Sequence, residues 1–149
     1  IDLDKVLIAG GSAGARVALA VGLAERSDQV AGVISLLGSI DHNESLVSLS
    51  DPPFVLFNGV NDPLVDYSFA LALADAAQAF DIPFGFYSGN NGHDATDFFL
   101  PNANGSSPFD ASLAFFYEQL DLGQTTFSVV PEASSVTMIS LGVGGLLCY

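Results

Sequence analysis

The sequence predicts a parallel α/β sheet, and three observations carry that reading. Apolar runs of strand length recur at 5–9, 29–37, 53–58 and 83–88. Segments of helical length, rich in Ala and Leu or in aromatic residues, follow at 13–25, 67–80 and 107–120. Continuous apolar runs alternating with helices are the pattern of strands buried on both faces and joined by crossovers. The third observation is the first strand-to-helix junction, Gly10-Gly11-Ser12-Ala13-Gly14, built only from small residues.

Each element has its own justification. Lys5-Val6-Leu7-Ile8-Ala9 is a continuous apolar run closed by Gly10-Gly11, the length of a buried parallel strand. Ala13 to Glu25 follows as a helix, with Val17, Leu19, Ala20, Val21 and Leu23 forming a wide apolar face. Gln29 to Leu37 is the second strand, carrying the β-branched Val30, Val33 and Ile34. Gly38 to Asp51, with its Ser, Asp and Asn, is a loop. Pro53 to Asn58 (Phe54, Val55, Leu56, Phe57) and Pro83 to Ser88 (Phe84, Phe86, Tyr87) are the third and fourth strands. Tyr67 to Phe80 is a helix between them, and Ser107 to Leu120 a closing helix. The Phe-rich strands fit an apolar pocket, and fit a packed core better.

Composition removes whole classes of function. The 149 residues fit one domain, at about 150 residues per domain. Half the residues are apolar, enough to build a core. The formal charge is −14, and Lys5, Arg16 and Arg26 are the only Lys or Arg residues. Phosphate contacts need clustered cations, so a nucleic-acid partner and an anionic membrane surface are both excluded. The acidity fits solubility and an extracellular or salty setting. Cys148 is the sole cysteine, so there is no intrachain disulfide and no thiolate zinc cluster.

The Gly10–Gly14 junction carries the chemistry. It reads G-x-S-x-G between a strand and a helix, the pattern of a nucleophile elbow. A Ser in so tight a turn is strained and needs small neighbours; Gly10, Ala13 and Gly14 let strand and helix approach closely. The turn lifts the Ser12 hydroxyl above the sheet edge and aims the helix N-terminus at the site. The backbone N–H of Ala13 is then one oxyanion donor. The competing reading is a Gly-rich turn whose Ser merely caps the helix. Neither G-x-x-x-x-G-K-[ST] nor G-x-G-x-x-G is present.

Serine needs a base. His93, in Gly89-Asn90-Asn91-Gly92-His93-Asp94 directly after the fourth strand, reaches the same sheet edge as the elbow. His42, in the polar stretch 39–43, is the alternative. The orienting acid is Asp62, four residues past the third strand, with Asp66 and Asp94 as competitors. A turn Asp before Pro63 is also an ordinary loop feature. The order Ser, Asp, His is that of α/β-hydrolases.

Residues 3–120 resemble the C-terminal half of an α/β-hydrolase. Asp62 lies 50 residues after Ser12, and His93 a further 31. These short intervals are similar to the compact dienelactone-hydrolase-like and small-esterase branches, which lack a large cap. Gly11-Ser12-Ala13-Gly14 looks like the elbow of carboxylesterases and of feruloyl or acetylxylan esterases. The resemblance implies a Ser12 nucleophile, a His93 base, an Asp62 orienter, carboxylic ester substrates (small or polysaccharide-linked) and no metal or organic cofactor. A prolyl-oligopeptidase-type peptidase shares this half-domain, and a non-catalytic surface protein on the same scaffold is a third reading. The family has strands before the elbow strand, and one of their loops supplies the second oxyanion donor. The expectation is therefore a fragment that exposes an apolar edge at its first strand and is unstable or inactive by itself.

The C-terminus changes character. Residues 1–122 form the expected domain and 123–129 a linker. Val130-Pro131-Glu132-Ala133 leads into an uncharged apolar stretch ending Gly142-Val143-Gly144-Gly145-Leu146-Leu147-Cys148-Tyr149, shorter than the roughly 20 residues of a membrane span. The segment 130–149 resembles a PEP-CTERM sorting tail, with Ala133 in place of the second Pro and no terminal Arg cluster. The resemblance implies a short apolar helix, export from a Gram-negative cell to the surface or medium, and processing by an exosortase.

Overall fold

Four strands run side by side in the order in which the chain makes them, all parallel. They are β1 (Leu7–Gly11), β2 (Gly32–Leu36), β3 (Phe54–Gly59) and β4 (Phe84–Gly89). In this computed structural model residues 5–25, 27–40, 47–122, 139–142 and 145–148 are described. Ala9 pairs with Ile34, Ile34 with Val55, and Val55 with Gly85, so the strands are in step across the sheet. Helix α1 (Ala13–Ala20) follows the elbow and widens into a π-helical turn at Val21–Glu25. Helix α2 (Tyr67–Ala79) joins β3 to β4, and α3 (Thr96–Phe99) and α4 (Pro108–Gln119) follow β4.

The two faces of β3 serve two cores. Phe54 and Leu56 pack with Val33, with Leu19 and Leu23 from the α1 segment, and with Leu73 and Ala77 of α2. Val55 and Phe57 point the other way, to Ile34, Phe98 and Phe116. Every residue of β3 is buried, which is why it reads as an unbroken apolar run rather than an alternating one. The strand phenylalanines belong to these cores. Phe57 stacks on Tyr87 at 5.0 Å between ring centres and lies against Phe98 at 5.2 Å.

Local chemistry fixes the helix starts. Asp66 caps α2, accepting the Ser68 N–H at 2.8 Å. Ser107 and Asp110 form a reciprocal capping box at α4, with Pro108 in the first turn. The backbone and hydroxyl donors of Ser107 hold the Asp110 carboxyl below the usual carboxylate range. A cap of this type contributes about 1 kcal/mol.

Two expectations change in the structure. The polar stretch after β2 has no strand or helix in its described part, yet Leu37, Ser39, Ile40 and Val47 are buried. It is a loop packed inward. Among the described residues β1 pairs with β2 alone; Val6 just before it and Val17 on α1 are exposed. The apolar helix expected near the C-terminus is replaced, where described, by two antiparallel strands, β5 (Ile139–Gly142) and β6 (Gly145–Cys148). Glycines at 142, 144 and 145 disfavour a helix in this stretch. The linker 123–129, the Val130-Pro131-Glu132 motif and His42 lie outside the described residues.

Candidate active site

Ser12 sits between β1 and α1 at φ 53° and ψ −120°, a conformation that few non-glycine residues adopt. Its neighbours hold it there. The Ser12 N–H donates to the Leu36 carbonyl of β2 at 2.8 Å, and its own carbonyl accepts from Ala15 and Arg16 at 3.0 and 3.2 Å. The side chain makes no capping bond to the helix. The hydroxyl is thus not used as an N-cap and is exposed at the sheet edge.

It faces His93 instead. Ser12 Oγ lies 2.8 Å from His93 Nε2, and His93 Nδ1 lies 2.7 Å from Asp62 Oδ2. A carboxylate only accepts, so Nδ1 carries the proton and Nε2 is left to accept from the Ser12 hydroxyl. The Asp62 side chain is 1% exposed and that of His93 19%. The carboxylate is oriented by its second oxygen. Oδ1 accepts the N–H groups of Leu64 and Val65 at 2.8 and 3.0 Å, a turn that Pro63 stiffens. One Asp62 oxygen thus serves an ordinary turn and the other meets His93.

Burial pushes the Asp62 carboxyl up. The hydrogen bonds from His93, Leu64 and Val65, with the His93 charge, outweigh that and hold it below the usual carboxylate range. A depressed folded-state pKa stabilises the fold above the unfolded value, about 3.9, and that stability is lost as pH falls through the folded value. Denaturation midpoints between pH 7 and pH 3 should therefore fall less steeply for Asp62→Asn than for the wild type. Equal slopes would show that the carboxylate is not linked to folding.

Asp62 and His93 follow neighbouring strands, but Ser12 and His93 follow strands at opposite ends of the described sheet. Neighbouring strands are about 4.8 Å apart, so β1 and β4 are separated by roughly 14 Å. The loop after β4 closes that gap by folding back over the end of β3. Gly59 makes this possible: a β-carbon there would lie 2.3 Å from the carbonyl oxygens of Asn91 and Gly92. Val60 N–H donates to the Gly89 carbonyl at 2.8 Å, and Asn61 Nδ2 to that of Asn90 at 3.0 Å, tying the two loops together. Sequence reading passed over Gly59 and Asn61; the Asn58-Gly59 turn dipeptide was the available signal.

The competing acids have other tasks. Asp66 caps α2, and Asp94 accepts from Thr96 N–H and Oγ at 2.9 and 2.6 Å. Those bonds from Thr96 hold the Asp94 carboxyl low. Ala13 opens α1, where the first N–H groups have no partner inside the helix. The elbow glycines need correction. A β-carbon at Gly10 would fall 2.2 Å from the Gly14 carbonyl oxygen, so Gly10 is the close-approach residue. At Gly11 and Gly14 a β-carbon would meet nothing within 4 Å. It is the Gly14 backbone, not its missing side chain, that fills the junction.

The chain matches no protein-family model, and no curated protein is similar to it by sequence. Solved structures are similar in fold. An α/β-hydrolase enzyme from a Medee basin deep-sea metagenome library aligns with a TM-score of 0.65 at 22% identity, over 81% of this chain and 57% of its own. A puromycin-hydrolysing peptidase from Mycobacterium tuberculosis gives 0.64 at 21%, over 80% of this chain and 22% of its own. A Bacillus cereus carboxylesterase gives 0.61 at 13%, over 80% and 52%. The chain thus spans little more than half the length of the first of these and less of the other two. The likeness establishes the architecture: four parallel strands and their helices, forming part of an α/β-hydrolase-like fold.

Proposed function

We propose that the protein is a serine hydrolase acting on carboxylic esters. The observation that carries this reading is the hydrogen-bonded chain from Asp62 through His93 to Ser12. Ser12 Oγ attacks the ester carbonyl carbon as its proton passes to His93 Nε2. The carbonyl oxygen becomes an oxyanion and accepts from the Ala13 N–H at the start of α1, where the helix dipole also favours negative charge. His93 returns the proton to the departing alkoxide, leaving an acyl group on Ser12. A water then gives its proton to His93 and attacks the acyl carbon, and His93 passes that proton to Ser12 Oγ as the bond to the acyl group breaks and the acid leaves. Asp62 stabilises the transient imidazolium and keeps the ring in the useful tautomer.

Esters are favoured by the carboxylesterase among the structural neighbours and by the short interval between Ser12 and Asp62. The puromycin-hydrolysing peptidase neighbour supports amide cleavage as the second reading. Fluorophosphonate labelling tests both at once, because the probe reports an activated serine whatever the substrate. The wild type should label, and Ser12→Ala and His93→Ala should not. A folded wild type that does not label would favour a non-catalytic scaffold. Rates on p-nitrophenyl esters against prolyl p-nitroanilides then separate the two enzyme readings.

The proposal extends to location. Export and exosortase trimming of the tail are supported by Val130-Pro131-Glu132 and the apolar stretch after it. The intact mass of the protein recovered outside the cell checks this: a chain retaining residues 133–149 would exclude trimming.

A further inference from the structure

Asn58, near the end of β3, is 1% exposed, and its Oδ1 is buried with no hydrogen-bond partner among the described residues. Leaving a buried acceptor unsatisfied costs about 1–3 kcal/mol, whereas an apolar side chain of similar shape carries no such cost. Stability alone does not account for an amide here. Among the described residues its side chain makes one hydrogen bond, from Nδ2 to the Gly38 carbonyl, 3.3 Å away.

Gly38 belongs to a strap, Leu36-Leu37-Gly38, that runs behind the elbow. The Leu36 carbonyl holds the Ser12 N–H at 2.8 Å. Leu37 is at φ 58°, a strained conformation for a leucine, and its N–H donates to the Phe57 carbonyl of β3 at 2.7 Å. Gly38 presses on the first turn of α1: a β-carbon there would lie 2.3 Å from the Ala15 β-carbon. Strained backbone persists only where its surroundings over-determine it. Phe57 secures the strap before the strained residue, and Asn58 secures it after.

We propose that Asn58 is a positioning residue for the Ser12–His93 pair, its amide pinning the Gly38 carbonyl so that the strap holds the elbow in register with the end of β3. This rests on the serine-hydrolase reading. The strap carries Ser12 through Leu36, and Asp62 departs from β3 only four residues after Asn58. One side chain thereby links the strap that holds the nucleophile to the strand that carries the acid, without touching substrate.

The test compares Asn58→Leu and Asn58→Asp with the wild type, in the full chain, by fluorophosphonate labelling, ester kinetics and thermal unfolding. Asn58→Leu relieves the unpaired Oδ1 but takes the donor from Gly38, so Tm should change little while the labelling rate and kcat fall about 10- to 100-fold, with KM little changed, as expected for a small misplacement of reacting groups. Asn58→Asp keeps the shape but donates to Gly38 only when protonated. Its activity relative to wild type should therefore rise as pH falls, a response that a merely structural side chain would not give. Asn58→Leu labelling at the wild-type rate would overturn the inference and leave the hydrolase reading intact. A Tm loss that accounts for the lost activity, with Asn58→Asp at a constant fraction of wild type across pH, would also overturn it. A folded wild type that fails to label would remove both.

Discussion

Replacing Ser12 by Ala is expected to lower kcat on an activated ester by about 10⁴- to 10⁶-fold, the loss that follows when a serine nucleophile is removed from a cooperating set. His93→Ala should cost about as much, and the double variant should be no worse than either single one. The reason is geometric. Ser12 Oγ and His93 Nε2 are 2.8 Å apart, and in the proposed mechanism they act on one proton, so removing either group would end the same step. Asp62→Asn should lose roughly 10⁴-fold, because an amide at that position can stabilise the wrong tautomer of His93. The remaining rate would come from substrate binding and the Ala13 N–H. Initial rates with p-nitrophenyl butyrate check the series. Additive losses in the double variant, or a Ser12→Ala enzyme within tenfold of wild type, would contradict a shared proton path.

The second large effect concerns two glycines of one motif, which should respond with opposite sign. Gly10→Ala puts a methyl group 2.2 Å from the Gly14 carbonyl oxygen and 2.7 Å from the Ala15 nitrogen. These are backbone atoms and cannot rotate away, so either α1 or β1 must move. Overpacking of this kind costs about 1–3 kcal/mol and sometimes more, and here it also displaces Ser12. Gly14→Ala meets open space within a helix, where exchanging Gly for Ala gains up to about 1 kcal/mol. Urea denaturation of both variants should give midpoints on opposite sides of the wild type. Two losses of equal size would mean that the motif tolerates side chains at neither position.

The strands were legible because burial on both faces writes itself as unbroken apolar runs; β3 is the clearest case. Their ends were less so. The first strand extends through Gly10 and Gly11 to the elbow itself, since glycine weakens a strand without forbidding one. The helix predicted over 13–25 ends its regular α-turns at Ala20, and the π-helical turn after it leaves no periodic trace. Helix α3 is only four residues long, too short for periodicity to register. Ser12, His93 and Asp62 were placed by where they fall relative to strands, and the structure brings those three together. The supporting parts were hidden because their roles depend on contacts between segments far apart in sequence. Nothing local to Asn58 announces that its amide will meet Gly38, and nothing local to Gly59 announces a loop folded over it.

One consequence of the strand order lies in how the molecule is made. Ser12 and His93 are 81 residues apart, at opposite ends of the described sheet. A ribosome adding about 5–20 residues per second takes roughly 4–16 s to go from one to the other. Through that interval the elbow can already be in place, yet its serine has no base. On the proposed function, chains interrupted before His93 would be chemically silent, however well their first strands have folded. Hydrolytic competence would appear only after β4, so its onset during translation would be a clock for the arrival of the fourth described strand.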